Sequence, residues 1–233
     1  MALGKDMDRA LRGRLIVSCQ AYPGEPMRDP RTMAQVAASV VRGGASAVRI
    51  QGIEDIRATT AVVDVPVIGL WKVGAEGVFI TPTLEHALAV ARAGADIVAL
   101  DGTRRPRPDG LDLAETIAAV RERVGTPVMA DCGSLADAVA AAEAGADLLS
   151  TALAGYTGER PASPGPDLDL VEAITSATDV PVVVEGRIRT PLEAVESLQR
   201  GAMAVCVGTA ITHPLSITRW FCEALALPEG ESA

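Results

Sequence analysis

The feature that most constrains the fold is a repeated junction, in which an Ala-rich stretch ends at a Gly and enters an apolar run. It occurs four times at a spacing of about fifty residues, as GGASAV (43–48), AGADIV (93–98), AGADLL (144–149) and RGAMAV (200–205). Glycine suits the left-handed residue that commonly follows a helix. Each junction therefore predicts a helix that leads directly into a buried strand.

A second repeated pattern lies between these junctions and predicts further strands. It reads VPV (65–67), TPV (126–128) and VPV (180–182), where Pro can open a strand without removing an interior ladder hydrogen bond. Together the two patterns predict strands near 14–19, 46–51, 66–71, 96–101, 127–131, 147–151, 181–185 and 203–208. Helices are predicted near 30–42, 53–61, 83–93, 111–124, 134–144, 167–178, 190–199 and 214–226.

The alternation of eight strands with eight helices predicts an α/β protein, a single (β/α)8 TIM barrel. The strands are continuous apolar runs, as expected for a parallel sheet that is covered on both faces. The 233 residues suffice for one such barrel, so we expect one domain over residues 1–233. An open doubly wound sheet is the alternative, although it seldom needs eight evenly spaced units.

Charge and composition exclude several classes of function. The net charge of −9 argues against a nucleic-acid surface, although a local basic cluster could still bind an anionic ligand. No apolar run approaches a membrane span, and the charged N-terminus lacks the apolar core of a signal peptide. The cysteines are far apart and form no CxxC motif, which predicts reduced thiols in a cytoplasmic protein: Cys19, Cys132, Cys206 and Cys222.

Motifs for metal and nucleotide chemistry are missing from the sequence. The chain contains only two histidines, His86 and His213, so a His-rich metal centre is excluded and we expect no metal. Neither a P-loop nor a GxGxxG motif is present, so nothing indicates nucleotide binding.

Polar residues stand at the ends of almost all the predicted strands, where a barrel of this type forms its active site. In order they are Gln20, Arg49, Lys72, Asp101, Asp131, Ser150, Glu185 and Thr209. Any one of them has a local explanation, such as a loop cap for Asp131 or simple solvation for Lys72. Eight strand ends of this kind together indicate a polar site.

The last two strand ends predict a phosphate site. Loops after strands 7 and 8 of many barrels bind phosphate through backbone N–H groups. Gly186 and Gly208 permit close backbone approach, and Arg187 could add a charged fork. The alternative is that both glycines only form tight turns. Tyr22, Trp71 and Tyr156 also lie near strand ends, where they either wall a sugar pocket or fill the core.

Eight short segments together resemble the bacterial N-acylglucosamine-6-phosphate 2-epimerases, also called the N-acetylmannosamine-6-phosphate 2-epimerase family. They are LIVSCQA (15–21), AVRIQGI (47–53), VFITPT (78–83), ADIVALDGTRRPRP (95–108), MADC (129–132), AGYTG (154–158), VEGRIRTP (184–191) and VGTAITHP (207–214). The resemblance spans residues 14–222. It implies interconversion of N-acetylmannosamine 6-phosphate and N-acetylglucosamine 6-phosphate in sialic-acid or amino-sugar catabolism, without a metal or organic cofactor.

The resemblance also implies roles for individual residues. Lys72 and Glu185 match the catalytic pair of the family. The residues that match substrate-contacting positions are Gln20, Arg49, Asp131 and Arg187. For the phosphate we expect Gly186, Arg187, Gly208, Thr209 and His213. The expected partner is a small amino-sugar phosphate, with no nucleic acid and no membrane, and we expect the chain to form a homodimer.

The implied chemistry gives Glu185 a function at the end of a valine run, where a carboxylate is costly to desolvate. Carbon 2 of the open-chain sugar lies next to the aldehyde, so its proton can leave if the enolate is stabilised. A lysine base would need its pKa lowered from about 10.4 to about 7–8. Burial beside Arg49 could supply that shift. The sequence does not assign the proton-removing role to either Lys72 or Glu185.

The chain departs from the family pattern at two places. After Lys72 the family usually has a longer, charged loop with an aromatic residue, whereas this chain has VGAEG (73–77). The family usually has ITRP where this chain has ITHP (211–214), so His213 replaces an arginine. Histidine changes charge near neutral pH, so we expect substrate binding to depend on pH there.

Two other functions fit parts of the pattern. In a class I aldolase-like barrel, Lys72 would form a Schiff base with a keto acid or sugar phosphate. A non-catalytic barrel would bind a sugar phosphate as a regulator or assembly module. The presence of both Lys72 and Glu185 favours the epimerase, because binding alone needs no such pair.

Overall fold

The computed structural model describes residues 3–226, and its eight strands form a closed parallel barrel. Each strand pairs with the next along the chain, and β8 returns to β1, with Leu15 beside Val205. The strands are β1 Leu15–Cys19, β2 Ala47–Gln51, β3 Val67–Leu70, β4 Ile97–Asp101, β5 Val128–Asp131, β6 Leu148–Ser150, β7 Val182–Glu185 and β8 Ala204–Val207. The barrel predicted from the sequence is confirmed, and the open sheet is excluded.

Helices follow the strands at the predicted places, and two short ones were not predicted. They are α1 Lys5–Leu11, α2 Pro30–Arg42, α3 Ile53–Thr60, α4 Leu84–Arg92, α5 Leu113–Val124, α6 Leu135–Glu143, α7 Leu168–Ala177, α8 Pro191–Gln199, α9 Thr209–Thr212 and α10 Pro214–Ala226. Helices α5 and α8 begin with capping boxes, at Asp112 and Thr190. None of the helices in the described range is long and apolar enough to cross a bilayer.

The unpredicted helix α1 joins the core of the barrel. Its Leu11 is fully buried and belongs to the interior apolar cluster that also contains Ile16 and Met203. Just after the helix, the N–H of Gly13 donates to the carbonyl of Met203 at 2.7 Å. This segment therefore packs at the end of the barrel where the strands begin, opposite the predicted site.

Alternation along the strands gives the barrel an apolar interior with a polar layer above it. Ile16, Ile68 and Met129 share one buried cluster, and their neighbours on the outer face pack against the helices. Towards the C-terminal ends of the strands, the inward residues of six strands are polar, whereas Leu70 of β3 and Cys206 of β8 stay apolar. This second layer consists of Ser18, Arg49, Asp101, Asp131, Ser150 and Glu185, of which all but Glu185 are buried. The polar layer therefore forms the base of the barrel mouth and lies directly above an apolar core.

Candidate active site

Arg49 is the centre of the polar layer. Its side chain is only 2% exposed, and its guanidinium donates to both oxygens of Asp131, at 3.1 and 2.5 Å. The same group also donates to Glu185. Burial alone would lower the pKa of Arg49, but the charges of Asp131 and Glu185 raise it above its ordinary value. Arg49 is therefore a permanent cation that joins strands β2, β5 and β7.

Asp131 shares that single cation with Glu185. Burial raises the pKa of Asp131 to about 6, and the nearby charge of Glu185 acts in the same direction, while Arg49 opposes both. Burial of the carboxylate outweighs the attraction of Arg49, so Asp131 binds its proton more tightly than an exposed aspartate does.

Glu185 ends strand β7 on the inward face, and its backbone is held by Thr151. The Thr151 hydroxyl donates to the Glu185 carbonyl at 2.9 Å and accepts from the Glu185 N–H at 3.0 Å. A valine run can end on glutamate here because the Arg49 cation offsets the cost of desolvating the carboxylate. From the sequence, Thr151 belongs to a polar strand end but is not predicted as a site residue, because its hydrogen bonds to Glu185 join two strands.

Lys72 follows strand β3, and its amine lies within the field of the Arg49 cluster. Its Nζ donates to the Gln20 side-chain oxygen at 2.7 Å, and the Gln20 amide donates to the Ser18 hydroxyl at 2.6 Å. Burial lowers the pKa of Lys72, and the charge of Arg49 lowers it further, while Glu185 and Asp131 oppose the shift. The direction is the one expected from the sequence. Gln20 orients the amine, and Ser18 orients Gln20.

Lys72 and Glu185 face each other across the mouth of the barrel. They follow β3 and end β7, and these strands lie four positions apart in a closed ring of eight. Such strands are diametrically opposed. A small molecule that entered between them would present one face to the amine and the other face to the carboxylate. The structure thus brings together five of the predicted residues: Gln20, Arg49, Lys72, Asp131 and Glu185.

The ends of the adjacent strands β7 and β8 form the predicted phosphate region. Gly186 has a φ of +111°, which favours glycine. A Cβ on Gly208 would lie 3.2 Å from the Ser18 Cβ, so a larger residue would crowd β1. Thr209 opens α9, and the first turn of a helix leaves N–H groups without intrahelical partners. Backbone donors therefore stand at this edge of the mouth.

Arg187 lies in this region, but its guanidinium is bound to the loop after β6. It donates to the carbonyls of Gly165 and Ala154, at 3.2 and 2.9 Å, and to the Ser163 hydroxyl at 3.0 Å. The ring of Tyr156 covers the guanidinium at 5.5 Å. In this structure Arg187 therefore orders the β6–α7 loop and does not join the Arg49 cluster.

His213 likewise has protein partners. Its Nε2 lies 2.9 and 3.0 Å from the two oxygens of Glu25, and its Nδ1 lies 2.7 Å from the Ser216 hydroxyl. The ring of Tyr22 packs edge-on against His213, with centroids 5.6 Å apart. His213 therefore ties the start of α10 to the loop after β1. Its partner Glu25 could not be predicted from the sequence.

Of the three aromatic residues near strand ends, two border the mouth of the barrel and one fills the core. Tyr22 and Tyr156 are at least half exposed at the mouth, and the Lys72 amine lies 5.3 Å from the centre of the Tyr22 ring. Trp71 is partly buried and packs edge-on against His86, with centroids 4.8 Å apart. Trp71 thus packs against the apolar cluster between the barrel and its helices, whereas the tyrosines border the mouth of the barrel.

Similarity to known proteins agrees with this geometry. Residues 33–226 match the family described as "Putative N-acetylmannosamine-6-phosphate epimerase". The chain belongs to this epimerase family. A protein of Cutibacterium acnes named "Putative N-acetylmannosamine-6-phosphate 2-epimerase" is 59% identical over 218 residues, which cover 93% of this chain and 95% of the relative. The family resemblance inferred from the sequence is confirmed.

Solved structures lead to the same family. The N-acetylmannosamine-6-phosphate 2-epimerase from Clostridium perfringens superposes with a TM-score of 0.91 at 34% identity, covering 96% of this chain and 98% of that protein. A thiamine phosphate pyrophosphorylase from Pyrococcus furiosus has a TM-score of 0.60 at 19% identity, with 91% and 93% covered. At that identity the second likeness concerns the barrel fold alone.

Proposed function

We propose that this chain is a 2-epimerase that interconverts N-acetylmannosamine 6-phosphate and N-acetylglucosamine 6-phosphate. One observation carries the proposal: an amine with a lowered pKa, Lys72, stands across the mouth from a carboxylate, Glu185. Inversion of a carbon centre by proton transfer needs a proton acceptor on one face and a proton donor on the other. The family to which the chain belongs carries the same activity in its name.

The reaction takes place at carbon 2 of the open-chain sugar. One member of the pair accepts the carbon 2 proton, and the electrons of that C–H bond move into the carbonyl to give an enolate. The other member donates a proton to carbon 2 from the opposite face, and the carbonyl re-forms. The charge of Arg49 stabilises the enolate in a site with little water, where electrostatic stabilisation is strong. Gln20 and Asp131 hold Lys72 and Arg49 in place.

We place the 6-phosphate at the ends of β7 and β8. Gly186, Gly208 and Thr209 offer backbone approach there, and a barrel of this type often binds phosphate at this edge. Arg187 and His213 border the same region, and either would reach the phosphate by exchanging one of its present partners. For His213 that partner is Glu25.

The direct test is turnover of N-acetylmannosamine 6-phosphate, with N-acetylglucosamine 6-phosphate measured as the product. Lys72→Met serves as the matched negative, because it keeps an apolar stem and removes the amine. Borohydride added during turnover separates this function from the aldolase alternative, since only a Schiff base on Lys72 would be trapped. Absence of turnover in the folded wild type would refute the proposal. Binding of the sugar phosphate without turnover would instead support the non-catalytic barrel.

We further propose that the chain is a homodimer joined through α10. No residue of this helix is buried, and its main packing partner is the short helix α9. Ile217, Phe221 and Leu225 recur every four residues and so share one face, on which Phe221 is 68% and Leu225 86% exposed. An exposed apolar face of this kind favours a second copy of the chain as its cover.

Solution mass tests the dimer. Light scattering after size exclusion should give twice the mass of the chain for the wild type and a single chain for Phe221→Glu combined with Leu225→Glu. The exposed Val62, which follows α3 and lies outside α10, provides the control Val62→Glu. A monomeric wild type would refute the dimer.

The cellular setting belongs to the same proposal. All four cysteines are free thiols, which fits a reducing compartment, and we place this single-domain enzyme in the cytoplasm. We propose, from its substrate class, that it acts in amino-sugar or sialic-acid catabolism.

A further inference from the structure

A short segment, residues 79–81, separates strands β3 and β4 at the active-site end of the barrel. β3 pairs with β4 only through Ile68 beside Ile97 and Gly69 beside Val98. Above that point Lys72 pairs in the antiparallel sense with Ile80. The carbonyl of Ile80 in turn accepts from the N–H of Asp101 at 2.9 Å. Residues 79–81 therefore lie as a wedge between the ends of the two strands, bound to the Lys72 segment on one side and to β4 on the other.

Thr81 fixes this wedge to the residue immediately before Lys72. Its N–H donates to the Trp71 carbonyl at 2.8 Å, and its hydroxyl accepts from the Trp71 N–H at 3.0 Å. The same hydroxyl donates to the carbonyl of Ala99 in β4 at 2.7 Å. Thr81 therefore binds both the N–H and the carbonyl of Trp71, the first through its side chain and the second through its backbone.

The conformation of Thr81 is unusual for its residue type. Its φ is +46°, in the left-handed region that a β-branched residue rarely adopts, and the residue is fully buried. Such strain persists only where the surrounding contacts impose it, and it concentrates near functional sites. Here the contacts that impose it are those to Trp71 and Ala99.

Arg107, in the loop after β4, binds both the wedge and the end of β4. Its guanidinium donates to the Asp101 carbonyl at 2.7 Å and to the Thr81 carbonyl at 2.9 Å. The residue is only 7% exposed, so these contacts are shielded from water. One cation thus joins the end of β4 to the wedge.

We propose that Thr81 and Arg107 are positioning residues for Lys72: together they fix the backbone on which the lysine is carried into the site. For its effect on turnover, this inference rests on the proposed function. Residues 73–77, which follow Lys72, form an exposed loop tip. The backbone position of Lys72 therefore depends on its contacts with residues 79–81. Neither residue needs to touch the substrate.

The inference predicts a specific failure when the Thr81 hydroxyl is removed. Thr81→Val keeps the shape of the side chain but leaves the Trp71 N–H and the Ala99 carbonyl without their partner. The amine then gains access to water. Because burial is what chiefly lowers the pKa of Lys72, that pKa should move back up toward its ordinary value. Misplacement of a catalytic group by about 1 Å can cost about 10²-fold in rate, so kcat should fall by about that factor with little change in KM.

The experiment compares Thr81→Val with Thr81→Ser, Arg107→Met and the control Thr59→Val. Serine retains the hydroxyl and should keep nearly wild-type kcat. Thr59 is also fully buried, and its hydroxyl has no partner within residues 3–226, so its removal should change nothing. Two readouts are taken: kcat with KM, and the rate of Lys72 acylation against pH, measured on the Lys72 peptide by mass spectrometry. Circular dichroism verifies folding.

Support requires that the midpoint of Lys72 acylation shifts to higher pH in Thr81→Val and Arg107→Met, but not in the other two variants. If Thr81→Val does not fold, Arg107→Met gives the decision by the same two readouts. A folded variant with lower kcat but an unshifted acylation midpoint would overturn the inference, because that result describes a loss of general stability. The acylation readout does not require turnover. An inactive wild type would therefore refute the proposed function, while the acylation midpoints would still test the positioning role.

Discussion

Removing the Arg49 guanidinium should destabilise the barrel strongly. Arg49→Met keeps a side chain of similar length, but it leaves Asp131 and Glu185 without the cation to which they both bind. Breaking a buried ion pair by removing one partner typically costs about 3–5 kcal/mol. For a chain of this size, 1 kcal/mol corresponds to roughly 2–4 °C, so the melting temperature should fall by about 6–20 °C.

The destabilisation should grow with pH. The folded-state pKa of Asp131, about 6, lies above its unfolded value, so its contribution to stability is present at low pH and is lost as pH rises through about 6. Arg49 lowers that pKa in the wild type, and removing Arg49 moves it higher still. Arg49→Met should therefore differ less from the wild type at pH 5 than at pH 8.

Equilibrium urea unfolding, followed by circular dichroism at both pH values, measures the effect. Arg9→Met is the control, because Arg9 pairs with Asp6 on the surface and its side chain is 84% exposed. That variant should be indistinguishable from the wild type at either pH. An Arg49→Met variant as stable as the wild type at pH 8, or a loss of stability that is the same at both pH values, would refute the reasoning.

Three further expectations concern activity. Lys72→Met and Glu185→Gln should each lower turnover by at least about 10²–10⁴-fold with the fold intact, and the double variant should lose little more, because the pair serves one proton path; unhindered turnover in both single variants would contradict this. N-acetylmannosamine should be a much poorer substrate than its 6-phosphate, because the backbone at Gly186 and Thr209 would have no phosphate to bind; equal kcat/KM would show that no such grip exists. His213→Arg should lower the KM for the 6-phosphate, because arginine would present a permanent charge to the anion; an unchanged KM would count against a phosphate contact.

The barrel could be predicted from the sequence because its signals are local. A Gly-Ala junction ends a helix and opens a strand within a few residues, and a Val-Pro-Val segment opens a strand by itself. The inward residues Arg49, Asp131 and Glu185 followed from their places at strand ends. Helix α1 was missed because charged residues dominate it, and its buried Leu11 becomes informative only when Met203 lies nearby.

The partners of the polar side chains could not be predicted, because they come from distant parts of the chain. His213 and Glu25 are 188 residues apart, and Arg187 binds carbonyls more than twenty residues away. Thr81 reads as an ordinary residue before a proline. Its left-handed backbone becomes evident only when β3 and β4 are placed on either side of it.

Epimerisation by Lys72 and Glu185 removes a proton from carbon 2 and returns a different proton to its other face. Wild-type protein should therefore convert N-acetylmannosamine 6-phosphate in deuterated water into N-acetylglucosamine 6-phosphate that carries deuterium at carbon 2, as measured by proton NMR and mass spectrometry. Lys72→Met should form no such product above background. Product that forms at the wild-type rate with only protium at carbon 2 would contradict the account.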